Sequence, residues 1–407
     1  MKEVDPNRYL ADDTRNREES RRETGAAMRI AQVLVNRVRK DETKPRSWLS
    51  ETLIANPMSI YPEYKDRRSS WNAKWGNDLL VRVVTDDGVE GIGGTVPAGS
   101  RVIVEEHFRD LLMGQDPFDT EKLWDQMFRS SLPYGRKGLA IMAISAVDNA
   151  LWDLKGKLLG QPLYRLLGGA TKVSMPVYST GNDVAFYHKL GFTGFKLAMP
   201  HGPVDGWAGI KKNLELIEKT RDIVGPDGEI MLDCYMAWSV DYTLRMARAC
   251  EPYRVRWIEE SLPPDDIDGY AELTAKSPVP IATGEHEFTR WGHKELLARR
   301  ACHILQPDVM WVGGVSEMVK IGAMASAYGI EVIPHGGGLH PWALHVIQSQ
   351  VPFPMVEWVV VGNEGEENPV RPMMEFLDGL QVPVDGRISA SDAPGAGITL
   401  REGWIEE

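Results

Sequence analysis

The 407-residue chain reads as an α/β protein, a (β/α) barrel preceded by a smaller α+β part, and three observations carry that reading. First, apolar runs end on carboxylates: Ile230-Met231-Leu232 stops at Asp233, Trp257 and Ile258 lead into Glu259, and VPIATG leads into Glu285. Second, 26 residues separate Asp233 from Glu259 and 26 separate Glu259 from Glu285. A repeat of that size suits a strand plus the crossover helix that returns the chain to the same edge of a parallel sheet. Third, Lys196 follows GFTGF, Asp308 follows HILQP, His335 follows IEVIP and Glu357 follows FPMV, so that seven polar residues terminate seven apolar strand candidates. All strands of such a barrel open their C-terminal ends on one mouth, where the active site lies, and these side chains are expected to converge there.

Composition sets the bounds. The length exceeds one average domain and favours two, with ample core to bury. With 46 basic and 58 acidic residues, the net charge of −12 argues against nucleic acid as a partner. Three cysteines, Cys234, Cys250 and Cys302, are too few and odd in number for a disulfide framework, which points to a reducing cytoplasm. Strand alternation turns Cys234 away from the face of Asp233, so it reads as packing. No apolar run is long enough to span a membrane, and the first 24 residues lack the apolar core of a signal peptide.

Residues 1–25 form a charged extension, with too few apolar side chains to offset ordering entropy. MRIAQVLVNRV, from Met28, predicts a strand, and NDLLVRVVTDDGVEGIGG predicts a hairpin turning at Asp87-Gly88. GIGGTVPAG lacks the third glycine and the acidic partner of a dinucleotide fingerprint and is set aside. The polar, aromatic stretch between these strands is over-long for a connection and reads as an active-site lid, whose Arg68 could meet an anionic substrate. Helical periods follow at 100–114, 119–131 and 138–159. From about Ser174 strands alternate with helices at 205–224, 239–251, 265–276, 290–300, 315–328 and 340–350. Beyond Glu357 the chain loses helical period and becomes rich in Gly, Pro and Asp.

A single carboxylate after a strand reads equally well as a helix N-cap, but three in register do not. Converging carboxylates repel and raise each other's pKa unless a cation joins them, and an all-oxygen set fits a hard cation such as Mg²⁺. His335, with Asp308 one unit earlier to hold its other nitrogen, is the candidate base. Glu357 is a candidate proton donor or water-ordering group. Lys196 would bring positive charge to a substrate carboxylate, and His286, beside Glu285, would contact substrate hydroxyls. HEFTR has Arg290 where a zinc protease motif needs its second histidine, which excludes that class.

The series Asp233, Glu259, Glu285, the QPD…PH pair of Asp308 and His335, and GQPLYRLLGG at 160–169 resemble the mandelate-racemase subgroup of the enolase superfamily. Within it, IANPMSIYPEY, LDCYM, WIEESLPPDD, TGEHE and QPDV are similar to the rhamnonate dehydratases. The resemblance implies a modified TIM barrel, (β/α)7β, at 171–358, and an α+β capping domain at 26–170 to which the segment 359–407 returns. It also implies one Mg²⁺ on Asp233, Glu259 and Glu285, an arginine in the lid, matched best by Arg68, that contacts substrate, and a homo-oligomer from dimer to octamer. The activity implied is a hydro-lyase acting on a small sugar acid, L-rhamnonate first, with no nucleic-acid or membrane partner. Alternatives are dehydration of fuconate, galactonate or tartrate, racemisation or epimerisation, and sugar-acid binding without catalysis. Two departures bear on these. Ala198 stands where many members of the subgroup carry a second lysine, and no histidine precedes His107, whereas the rhamnonate dehydratases have one in the N-terminal loop. Asp41, Glu42 or Trp48 would replace that histidine.

Overall fold

Alternating apolar residues build the first sheet of the computed structural model, which describes residues 28–39, 52–65 and 77–406. Arg68, Asp41, Glu42, Trp48 and the N-terminal extension lie outside the described residues. Strand β1 (Ile30–Val38) buries Ile30, Val33 and Val35 in one core cluster, while Val38 packs into the other, larger one. It pairs antiparallel with β2 (Asn77–Thr85), which turns through Asp87-Gly88 into β3 (Glu90–Pro97). A helical stretch over residues 98–112, then α1 (Thr120–Ser131) and α2 (Leu139–Leu159), cover this sheet, so the expected order of strands followed by helices is what forms. Glycines let β3 lie directly on α2: a Cβ at Gly91 would stand 2.1 Å from the Ala150 carbonyl oxygen, and one at Gly93 only 1.8 Å from that of Ala146. GIGG is thus a packing surface.

The barrel has strands β4 (Met175–Thr180), β5 (Gly194–Ala198), β6 (Glu229–Asp233), β7 (Trp257–Glu259), β8 (Ile281–Thr283), β9 (Ile304–Leu305), β10 (Glu331–Val332) and β11 (Val356–Val359). Each is parallel to its neighbour in the order β10-β9-β8-β7-β6-β5-β4-β11. The ring closes through the Val332 N–H on the Pro352 carbonyl (2.9 Å) and the Gly338 N–H on that of Glu357 (2.8 Å). The intervening helices are α3 (Val184–Lys189), α4 (Gly206–Val224), α5 (Val240–Cys250), α6 (Ile267–Lys276), α7 (Thr289–Ala298), α8 (Gly314–Tyr328) and α9 (Pro341–Ser349). Six of them match the sequence periods to within two residues at either end; α3, six residues long, is too short to display a period. Tyr178, Met231, Trp257, Ala282, Ile304, Ile333 and Met355 fill the barrel interior, while Phe195, Leu197, Ile230, Leu232 and Ile258 face the helices.

Cap and barrel meet where α2 caps α8. Helix N-termini leave backbone donors without intrahelical partners, and three polar residues of α2 accept them. Ser145 Oγ accepts from Gly313 N–H (2.8 Å), Asn149 Oδ1 from Val315 N–H (3.1 Å), and Asp148 from both the N–H (2.9 Å) and the hydroxyl (2.6 Å) of Ser316. The C-terminal segment runs back over both parts. Arg387–Ile388 pairs with β4, Ala396 N–H donates to Asp153 of α2 (2.8 Å), and Ile405–Glu406 pairs with β1. Among the described residues no helix is long and apolar enough to cross a membrane.

Candidate active site

Alternation along the strands aims the carboxylates into the barrel mouth. Met231 and Trp257 face the interior, so Asp233 and Glu259, two residues on, share their face. Asp233 and Glu259 are register partners across β6 and β7, placing their Cα atoms about one strand spacing, ~4.8 Å, apart. Glu285 lies two residues past β8, after Gly284, whose φ of +121° is open only to glycine. Asp308 and His335 each sit three residues past their strands, and Glu357 lies within β11. The structure thus gathers Asp233, Glu259, Glu285, Asp308, His335, Glu357, Lys196 and His286 at one end of the barrel.

Lys196 stands deeper than the sequence alone suggested. Only 1% exposed, its ammonium is turned into the barrel, bonded to Glu259, 2.8 Å from Glu357 Oε1 and 3.6 Å from Asp233 Oδ2. Glu259 Oε2 also accepts the Trp257 indole N–H (2.9 Å) and the Gln306 amide (2.7 Å). His335 places Nδ1 2.7 Å from Asp308 Oδ2 and Nε2 3.3 Å from Glu285 Oε1. Asp308 is itself fixed by the Met310 N–H on its Oδ1 at 2.6 Å. Glu357 accepts from the Gly336 N–H at 2.7 Å and from the Thr180 hydroxyl. His286 lies with Nε2 3.9 Å from Glu285 Oε1 and Nδ1 3.0 Å from Glu260 Oε2. Trp311 packs tilted against both imidazoles, its ring centre 5.3 Å from that of His286 and 5.2 Å from that of His335.

The electrostatics follow from burial and crowding. Burial pushes the Glu259 carboxyl up to about 8, with Asp233, Glu357 and Glu285 adding to the rise and Lys196 opposing it. Burial likewise lifts Glu285 to about 7, aided by Glu260 and Asp233 and resisted by His335 and His286. Burial also disfavours the Glu357 anion, yet Lys196 and His335 overcome it and hold that carboxyl at about 2, so Glu357 stands as an acceptor. Burial pulls His335 down, but Glu285, the Asp308 hydrogen bond and Glu357 outweigh it and raise the imidazole to about 10.

In this arrangement no three acidic, histidine or cysteine side chains among the described residues are drawn together as ligands, because Glu259 turns to Lys196 and Glu285 to His335. The donor chemistry nevertheless suits a hard divalent cation. Three carboxylates stand at consecutive strand ends, and Asp233 adds to the upward push on both Glu259 and Glu285, a repulsion that a cation would relieve. A cavity of 790 Å³ between Phe128, Tyr134 and Trp291 contains none of these groups. Glu260, Gln306, Thr180 and Trp311 escaped the sequence reading. Gln306 was findable, two residues before Asp308 on the same alternation; Glu260 was masked by Glu259 beside it.

Two family models match the chain, one described as enolase C-terminal domain-like over residues 182–404, the other as the mandelate racemase / muconate lactonizing enzyme N-terminal domain over residues 76–168. An L-rhamnonate dehydratase of Saccharopolyspora erythraea is 41% identical over 358 residues, 87% of this chain and 90% of that protein. The crystal structure of L-rhamnonate dehydratase from Gibberella zeae aligns with a TM-score of 0.85 at 38% identity, covering 92% of this chain and 94% of that one. The rhamnonate dehydratase structure from Gibberella zeae complexed with Mg gives 0.86 at 37% identity over the same shares, 92% and 94%.

Proposed function

Since the chain belongs to the mandelate racemase / muconate lactonizing enzyme family of the enolase superfamily, we propose that it is a Mg²⁺-dependent acid-sugar dehydratase acting on L-rhamnonate. The reaction removes the proton α to the carboxylate and expels the 3-hydroxyl as water, and the resulting enol becomes a 2-keto-3-deoxy acid. The observation that carries this reading is the His335–Asp308 pair, whose second nitrogen, Nε2, faces Glu285 at 3.3 Å.

With Nδ1–H donated to Asp308, the His335 imidazole offers Nε2 to the α-proton, and Asp308 stabilises the imidazolium that forms. The proton on Nε2 then passes to the departing hydroxyl on the same face, so one residue serves as base and acid in a syn elimination. Bound by Asp233, Glu259 and Glu285, Mg²⁺ would set positive charge against the substrate carboxylate and draw the charge of Glu285 away from His335. Glu357, held ionised by Lys196, orders the Gly336 end of the His335 loop. Lys196 balances the buried carboxylates, and Arg68 of the lid meets the substrate anion. Racemisation needs a second base on the opposite face, and β5 carries Ala198 there while Lys196 is engaged on carboxylates. Three buried free cysteines accord with a reducing cytoplasm, and the reading includes a homo-oligomer.

The test is a panel of aldonates and diacids with Mg²⁺, assayed for 2-keto-3-deoxy acid, in the wild type and in His335→Asn. L-Rhamnonate should turn over fastest. His335→Asn should lose at least about 10³-fold in kcat while binding Mg²⁺ with unchanged affinity by calorimetry. Near-normal turnover in that variant, or none by the wild type across the panel, overturns the proposal.

A further inference from the structure

Beside the same Glu285 oxygen that His335 approaches, a second imidazole is held by a second carboxylate. Glu260, 1% exposed, has Oε2 3.0 Å from His286 Nδ1, while its Oε1 accepts from the Thr283 hydroxyl (3.1 Å) and the Gly284 N–H (3.3 Å). Its backbone φ of +47° lies in the left-handed region, which a residue bearing a Cβ adopts only when its surroundings impose it. The His286 ring has Trp311 tilted against it at 5.3 Å and Tyr235 edge-on at 5.9 Å. With Nδ1 bonded and the ring packed, the Nε2 edge is what remains to meet a ligand. It points to the same Glu285 oxygen as His335 Nε2, at 3.9 Å against 3.3 Å.

We infer that Glu260 is a positioning residue: through the Nδ1–H of His286 it fixes that ring so that Nε2 meets a hydroxyl of the substrate beside Glu285. The inference rests on the sugar-acid reading above and adds to it a second histidine–carboxylate pair. A polyhydroxy acid offers several similar hydroxyls, and a ring free to flip would present Nδ1 or Nε2 indifferently. A ring locked at Nδ1 discriminates among them. Metal-binding histidines are oriented by outer carboxylates in the same manner, and losing such a partner costs about 10- to 100-fold in activity.

The test joins a spectrum to a kinetic cycle. In the Mg²⁺-loaded wild type with ¹⁵N-labelled histidine, the His286 signal, assigned by its loss in His286→Asn, should show a proton on Nδ1; a bare Nδ1 overturns the inference whatever the activity. Glu260→Gln, which keeps the volume, should lower kcat/KM about 10- to 100-fold with Mg²⁺ affinity within about threefold of wild type. The double variant with His286→Asn should be no slower than His286→Asn alone, because the two act as one unit. Multiplicative losses, or a tenfold loss of Mg²⁺ affinity in Glu260→Gln, would show that Glu260 supports the neighbouring Glu259 instead. Lack of turnover on every acid sinks the sugar-acid reading, and the Nδ1 proton still decides the role of Glu260.

Discussion

Asp148 is a buried acid bonded to the start of α8, and its replacement by asparagine isolates the electrostatics of the joint between cap and barrel. Burial pushes its carboxyl up to about 7 against the hydrogen bonds from Ser316, with Lys320 of α8 lowering it and Glu317 of the same helix raising it. An unfolded Asp titrates near ~3.9, so between these values the folded state binds the extra proton. The stabilisation that this proton brings is therefore complete at low pH and is lost as pH rises through about 7. Between pH 5 and pH 8 the loss is about 3 kcal/mol, at ~1.4 kcal/mol per unit over the part of the interval below the folded pKa. An unfolding entropy of ~2.1 cal/mol/K per residue spread over 407 residues turns that into about 3 °C. The asparagine of the Asp148→Asn variant cannot titrate, yet it retains an oxygen for Ser316. Thermal melts of both proteins at pH 5, 6, 7 and 8 should show the wild type losing about 3 °C relative to Asp148→Asn across the series. Parallel curves would refute the reasoning, and a gap moving the other way would mean that the folded joint prefers the anion.

Gly93→Ala should destabilise severely or abolish soluble expression, since its Cβ would stand 1.8 Å from a backbone oxygen of α2. Gly88→Ala, with no atom within 4 Å but a φ of +84°, should cost only about 1–2 kcal/mol in a chemical melt. Mg²⁺ at about 100 times its Kd should stabilise the folded protein by about 2.7 kcal/mol, and Glu285→Gln should lose most of that rise in melting temperature; an equal rise in the variant would remove Glu285 from the ligand set. Asp308→Asn should reduce kcat about 10²- to 10⁴-fold at unchanged Mg²⁺ affinity, because His335 loses the anion that orients and stabilises it; a loss under tenfold would mean that the pair is not the working unit.

Much of this protein is written along one dimension. Strand ends recur because each barrel unit spends a similar number of residues leaving and regaining the sheet, so the even spacing of Asp233, Glu259 and Glu285 announced both the parallel sheet and the shared mouth. The same logic found Asp308, His335 and Glu357, and the two-residue alternation settled that Cys234 faces the core. The direction of a long side chain is not carried by spacing. Lys196 follows an apolar run as the others do, but whether its ammonium rises to the mouth or sinks among carboxylates depends on which charges lie across the barrel, and those come from β6, β7 and β11. Glu260 shows the same limit: beside Glu259 it reads as half of an acidic pair, and only the backbone turn at φ +47° sends it to His286. Asp148 looks like a flaw in an apolar helix until the unpaired N-terminal donors of α8 are brought against it. Sequence determines the positions that repeat, because chain geometry is periodic; the partners of buried charge are chosen in three dimensions, because a charge in a low-dielectric interior must be met by whatever group the fold carries to it.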